Sequence, residues 1–285
     1  MPKTYNKLFI ATRQALRDAG VEGCTLEARL LLSAASGKSR EALLRDMQLY
    51  SSDEIEATLA ALTARRLGGE PAAYITERWE FYGLELKVTP SVLIPRSDTE
   101  TLVHQALELA RGRWEDARIL DLCTGSGCVG CALAHALPRS RAVLLDNSLD
   151  ALEVARENTH LLGLDARVEC IAGDVTRPPD PSLGSFGLIV SNPPYIRRSE
   201  IPLLDPSVRD FEPHAALDGG EDGLDYYRAI LENDVLLLRS GGWLLFEVGE
   251  EQAHDVSMLL RRAGLRNVGA VRDLYGTERV VFGKK

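Results

Sequence analysis

The chain has 285 residues, 45% of them hydrophobic and 26% charged, which allows one large or two modest domains and excludes global disorder. Its formal net charge is −9. The first 80 residues carry 11 basic and 11 acidic side chains, so the acidity lies wholly in residues 81–285. Phosphate contacts dominate affinity for nucleic acid and call for a basic face, so direct nucleic-acid binding is not expected.

No run of about eighteen apolar residues occurs, so no membrane-spanning helix is expected. Met1-Pro2-Lys3-Thr4-Tyr5 leads into an amphipathic stretch rather than an apolar signal core, and a cytoplasmic protein, most simply a monomer, is the expectation. The five cysteines are Cys24, Cys123, Cys128, Cys131 and Cys170. An odd number without a secretory signal argues against a disulfide framework. Cys128 and Cys131 have C-x-x-C spacing but no further Cys or His at finger-like distance, so they read as small buried hydrophobes and no metal site is expected.

Residues 5–70 read as helical. Leu8, Ala11, Ala15 and Leu16 recur at helical spacing, as do Leu26, Leu30 and Leu31. Gly20, Gly23 and Gly37 punctuate the runs. Ser51-Ser52-Asp53-Glu54 predicts a helix start with acids in its first turn, and Arg65-Arg66 lies near that helix's end. Residues 1–71 are taken as a small helical, substrate-docking domain. Residues 72–97 change character: Tyr74, Trp79, Phe81, Tyr82, Leu84, Leu86 and Val88 predict a β-hairpin connector closed by Pro90 and Pro95.

From residue 98 to 285 strands and helices alternate. Strands are predicted at 118–123, 141–146, 168–172, 188–191, 242–248, 266–271 and 279–282. Helices are predicted at 128–137, 149–162, 224–238 and 251–263. Such alternation predicts an α/β fold, a doubly wound, mostly parallel, seven-stranded Rossmann-like sheet.

The first of these strands runs into Asp121-Leu122-Cys123-Thr124-Gly125-Ser126-Gly127 and then a helix. Glycine lets backbone approach a ligand, and a helix N-terminus offers unpaired N–H groups. Dinucleotide enzymes place pyrophosphate here. Asp121 stands so close to the loop that it would repel pyrophosphate. It suits an ammonium group, such as that in the methionine part of S-adenosylmethionine. Asp146 ends the second strand, where a carboxylate accepts ribose hydroxyls. Asp174 follows the third strand and is expected to receive the adenine amino group, with Val175 covering the adenine face. Each feature alone is weak; three in order at successive strand ends point to one crevice.

Asn192-Pro193-Pro194-Tyr195 ends the fourth strand. Consecutive prolines stiffen the backbone and remove two N–H donors. The Pro193 carbonyl and the Asn192 side-chain oxygen then form two acceptors for the hydrogens of an –NH2 group, and Tyr195 offers a ring to stack on its plane. An amide nitrogen is a poor nucleophile because its lone pair is delocalised. Holding both N–H bonds aims it at a methyl donor and stabilises the charge that grows on it. The site therefore reads as N-methylation of a planar amide or exocyclic amine.

With these residues the chain resembles the release factor glutamine methyltransferases, the protein-(glutamine-N5) methyltransferases also called HemK. The resemblance covers nearly the full length. It includes Leu26–Leu32 and Gly37–Arg40 in the helical part, and Gly69-Glu70-Pro71, Glu80–Gly83 and Leu93–Glu100 in the connector. Phe211-Glu212-Pro213 and Leu217–Tyr227 extend it beyond the tetrapeptide. The tetrapeptide is shared with DNA and RNA amine methyltransferases; Ile94–Glu100 and Leu217–Tyr227 are narrower. The resemblance implies S-adenosylmethionine as methyl donor, S-adenosylhomocysteine as product, and the Gln of the Gly-Gly-Gln motif of peptide chain release factors as target. It also implies cofactor contacts at Cys123, Thr124, Gly125, Ser126, Gly127, Asp146, Val175 and Asn192, and substrate contacts at Asn192, Pro193, Pro194 and Tyr195.

Three positions depart from the family pattern. Cys123 stands where Gly is usual, Ser97 where Pro is common, and Val175 where an aromatic residue can stand. The other readings are a ribosomal-protein glutamine methyltransferase, a DNA or RNA amine methyltransferase, and a non-enzymatic S-adenosylmethionine-binding module. The acidic catalytic part speaks against the nucleic-acid reading and the intact tetrapeptide against the last.

Overall fold

A computed structural model describes residues 2–112 and 116–285. The chain divides into two compact units, Met1–Arg78 with Asp205–Phe211, and Trp79–Leu204 with Glu212–Lys285.

The first unit is helical. Its helices are α1 (Tyr5–Asp18), α2 (Cys24–Ser36), α3 (Arg40–Asp46), α4 (Asp53–Leu67) and the single turn α5 (Ala72–Thr76). Side-chain caps start three of them. Thr4 accepts from the Lys7 N–H, Ser39 from Ala42 and Ser52 from Ile55, each satisfying an amide that has no partner inside its helix. The apolar stripes meet in one core of Tyr5, Leu8, Phe9, Leu16, Ala28, Leu31, Leu32, Leu43, Leu59 and Ile75. Arg66 and Glu27 pair at 2.6 Å between α4 and α2.

The segment read as one connector divides. Its helical turn α5 contributes Ile75 to the first core. The hairpin after it, β1 (Arg78–Phe81) and β2 (Leu84–Lys87), sends Phe81, Leu84 and Leu86 into the core of the second unit. Asn158 holds the hairpin there, accepting from the Lys87 N–H at 2.6 Å and donating to the Lys87 carbonyl at 2.9 Å.

The second unit continues with α6 (Glu100–Ala110), β3 (Arg118–Leu122), α7 (Cys128–Ala136), β4 (Arg141–Asp146), α8 (Leu149–Leu161), β5 (Val168–Ala172) and β6 (Phe186–Ser191). The short helix α9 (Pro206–Arg209) belongs to the segment grouped with the first unit. Then come α10 (Asp225–Asn233), β7 (Leu238–Glu247), α11 (Ala253–Arg262), β8 (Arg266–Arg272) and β9 (Glu278–Lys284). The sheet order is β5-β4-β3-β6-β7-β9-β8, with β9 antiparallel to both neighbours. The fold is thus the mostly parallel, doubly wound α/β sheet read from the sequence.

Strand alternation sorts side chains to two faces. Ile119, Leu188, Val190, Leu144 and Leu245 join α6 and α7 in one core. Leu120, Leu122, Ile189, Val143, Leu145 and Phe246 join α10 and α11 in the other.

The element expected over 224–238 is shorter. Helix α10 stops at Asn233, a 3-10 turn covers Asp234–Leu237, and β7 begins at Leu238. Strand β7 carries Gly241 and Gly242 within it, and its pairing with β6 shifts between Phe186 and Leu188. A side chain at Gly242 would meet the Gly187 carbonyl at 2.8 Å. Glycine there lets the strand approach its partner, a close fit that apolar patterning does not reveal.

Candidate functional site

The chain leaves β3 toward β4 on one side, while β6 and β7 lie on the other, so strand order reverses between β3 and β6. Ligands of open α/β sheets bind outside the carboxyl ends of strands at such a point. The register places Leu122 opposite Ser191, and the Ser191 hydroxyl donates to the Leu122 carbonyl at 2.7 Å. The glycine-rich turn and the Asn192 tetrapeptide, 69 residues apart at that bond, therefore leave the sheet side by side.

Internal bonds shape the turn. The Thr124 amide donates to the Leu145 carbonyl at 3.0 Å and Gly127 to the Thr124 carbonyl at 2.9 Å. Asp121 is 1% exposed. Its Oδ2 accepts from the Thr124 hydroxyl at 2.5 Å and from the Gly130 amide at 2.9 Å, so it clamps the turn to α7. Burial pushes this carboxyl up to about 7, against those two bonds. Gly130 permits the clamp, since a side chain there would stand 2.1 Å from Leu144. Cys123 takes φ +57°, a left-handed conformation that glycine adopts without strain. That is the physical sense of the glycine usual at this position.

A cavity opens above the turn. Its wall includes Cys123, Thr124, Gly125, Ser126, Asp146 and Val175 from the expected cofactor residues, and Asn192 and Pro194 from the tetrapeptide; Asp121 edges it as well. Asp146 accepts from the Gly125 amide at 2.8 Å and from Ser148 at 3.0 Å. A carboxylate has about four acceptor directions, so Asp146 keeps acceptor capacity for a ribose hydroxyl. Burial raises its carboxyl above the ordinary range, and the N–H donors of Ser148 and Gly125 oppose the shift. Nothing lies within 4 Å of where a Gly125 side chain would stand, which leaves open space for the methionine portion of a cofactor. These residues fit S-adenosylmethionine.

Four expected residues do not line the cavity: Gly127, Asp174, Pro193 and Tyr195. Gly127 instead caps α7 at φ +80°. Asp174, expected at the adenine amino group, has local partners here. Its Oδ1 takes the Thr176 amide and hydroxyl at 2.9 and 2.6 Å, and its Oδ2 faces Arg177. The short acid closes a local turn, a use that competes with any ligand. Pro193 is buried. Tyr195 turns its hydroxyl to Glu247 Oε1 at 3.4 Å and packs against the α10–α11 core.

Sequence reasoning missed Arg96, Thr99 and Tyr226, which also line the cavity. Tyr226 lies in the Leu217–Tyr227 block, and nothing local marks it as a wall. The Asp98-Thr99-Glu100 block has three separate tasks. Asp98 pairs with Arg279 at 3.4 Å, Thr99 accepts from Asn192 Nδ2 at 3.3 Å, and Glu100 accepts from the Tyr82 amide at 2.8 Å. The loop after the tetrapeptide is stitched to it: Ile196 donates to the Leu217 carbonyl and Gly219 to the Ile196 carbonyl. A side chain at Gly219 would stand 2.7 Å from the Tyr195 backbone, which accounts for a glycine there.

Among known protein families, the "PrmC N-terminal domain" matches residues 7–76 and the "Methyltransferase small domain" matches residues 98–203. A release factor glutamine methyltransferase from Geobacter sulfurreducens is 42% identical over 99% of this chain and 96% of its own length. The chain belongs to the release factor glutamine methyltransferase family. Another relative of that name, from Bordetella pertussis, is 42% identical over 95% of this chain and 98% of its own. A methyltransferase from Pyrococcus furiosus shares the fold, with a TM-score of 0.53 at 16% identity over 79% of this chain and 98% of that one. The family's methyl donor is S-adenosylmethionine and its reaction is N5-methylation of glutamine. No helix among the described residues is long and apolar enough to cross a membrane.

Proposed function

We propose that this enzyme methylates the side-chain amide nitrogen of the Gln in the Gly-Gly-Gln motif of peptide chain release factors, in the cytoplasm. The observation that carries the reading is the Asn192 side chain on the cavity wall with its Nδ2 given to Thr99. Its Oδ1 is thereby left as an acceptor for an N–H of the target amide. The second N–H is assigned to the backbone carbonyl of Pro193, which lies between the wall residues Asn192 and Pro194 although the Pro193 ring itself is buried. S-adenosylmethionine supplies an electrophilic methyl group; Thr124, Gly125, Ser126, Asp146 and Val175 hold it, and Cys123 borders its methionine end.

Two fixed acceptors orient the amide nitrogen and favour the charge that develops on it. No dedicated base is assigned; the proton leaves to water. The named substrates of the relatives and the acidic charge of the catalytic unit support a protein rather than a nucleic-acid target.

Residues 1–71 are assigned to docking of the release factor. Leu49 and Tyr50 support this assignment, being 56% and 70% exposed in the helical unit, where apolar side chains suit a protein partner. Replacing both with Ser is expected to raise KM for intact release factor and leave a short Gly-Gly-Gln peptide unaffected.

The deciding experiment incubates the enzyme with labelled S-adenosylmethionine and, separately, a release factor, ribosomal protein and DNA or RNA. Label on the release factor Gln is expected. Label only on ribosomal protein moves the reading to that substrate, and label only on nucleic acid overturns it.

A further inference from the structure

Behind Asn192 lies a buried polar cluster with no assigned part in methyl transfer. Glu247, at the end of β7, is 2% exposed. It takes hydrogen bonds from the hydroxyls of Thr99 and Tyr195, while its Oε2 is buried without a partner. An unpaired buried carboxylate oxygen is costly and calls for an explanation.

We propose that Thr99 and Glu247 are a positioning pair that holds the Asn192 amide with Oδ1 toward the target nitrogen. This rests on the assignment of Asn192 as an acceptor. An ionised carboxylate only accepts, so the single hydroxyl proton of Thr99 goes to Glu247. The Thr99 oxygen is then left with lone pairs alone toward Asn192, and only Nδ2 can face it. The opposite amide orientation would aim two N–H donors at the N–H bonds of the substrate. The backbone alone does not choose between the two orientations, which have almost the same shape.

A protonated Glu247 reverses this. It has a proton to give, the Thr99 proton is released, and both orientations of Asn192 become available. The charged and titratable groups around Glu247 are Asp98 before α6, Arg279 on β9, Tyr195 after β6, Tyr227 on α10 and Cys128 on α7. Burial pushes Glu247 up to about 7, while Thr99, Arg279 and Tyr195 hold it down and Asp98 adds to the rise. The competent orientation is therefore lost as pH falls through that value.

The primary test uses the full chain without substrate. The Asn192 side-chain amide is followed by nitrogen NMR while Glu247 titrates. Its two N–H resonances are expected to shift with the Glu247 midpoint in the wild type, and to stay constant in Glu247→Gln and Thr99→Val. An Asn192 amide blind to the Glu247 titration overturns the pair, whether or not release factors are methylated. In turnover at saturating S-adenosylmethionine, Thr99→Val is expected to lower kcat about tenfold with cofactor affinity unchanged, and Thr99→Ser to restore it. The acidic limb of kcat should vanish in Glu247→Gln. Equal loss in Thr99→Val and Thr99→Ser would show plain packing. Coupled resonances without methylation of any release factor would instead sink the substrate assignment and leave the pair standing.

Discussion

Arg96 and Glu212, 116 residues apart in sequence, form an ion pair at the edge of the cavity. The Glu212 side chain is 1% exposed and Arg96 39% exposed, and Glu212 Oε2 also accepts from the Ile94 amide at 3.1 Å. The pair joins Ile94-Pro95-Arg96 to Glu212-Pro213, segments of two blocks by which the chain resembles its family. Their co-occurrence is thus one structural unit, because a buried carboxylate needs both partners.

Removing Arg96 leaves that carboxylate buried and half-satisfied. Arg96→Ala is expected to destabilise the fold by about 2 kcal/mol, read by urea denaturation. Glu212→Gln should cost less, since an amide oxygen still accepts from Ile94. A larger loss in Glu212→Gln would contradict the charge argument.

Cys123 offers a test of backbone strain. Both Cys123→Ala and Cys123→Gly remove the thiol, but only glycine relaxes at φ +57°. The Gly variant should be more stable than the Ala variant by about 1 kcal/mol. Equal melting temperatures would mean the left-handed turn carries no strain.

Asp234 is 2% exposed with its Oδ2 unpartnered, and burial raises its carboxyl to about 7. The unfolded chain releases this proton near pH 4, so the folded state holds it longer. The stability penalty grows as pH rises from about 4 toward 7 and is complete above it. Asp234→Asn should raise the melting temperature by roughly a few degrees at alkaline pH and by less in acid. Thermal scans at several pH values check this; a gain independent of pH would exclude ionisation as the cause.

Asp146 is the expected ribose acceptor. Asp146→Ala should weaken S-adenosylmethionine binding about 30-fold, equivalent to about 2 kcal/mol for bonds to a charged group, measured by calorimetry. Because burial raises its carboxyl, binding should also loosen as pH falls through its titration. Unchanged affinity would remove Asp146 from the cofactor site.

The sequence by itself determined what depends on neighbours along the chain. Strand alternation, the turn from Cys123 to Gly127, the Ser52 cap and the stiff Asn192–Tyr195 turn all follow from local sterics and periodicity. Local bonding that the strand pattern does not show also shapes these ends: Asp174 closes on Thr176. Only the tertiary structure decided what joins distant segments. It paired Arg96 with Glu212 and Asp98 with Arg279, and it put Tyr226 on the cavity wall. It also set Thr99 between Asn192 and Glu247. The physical reason is that a hydrogen bond constrains both partners once they meet, yet leaves no periodic trace in either segment.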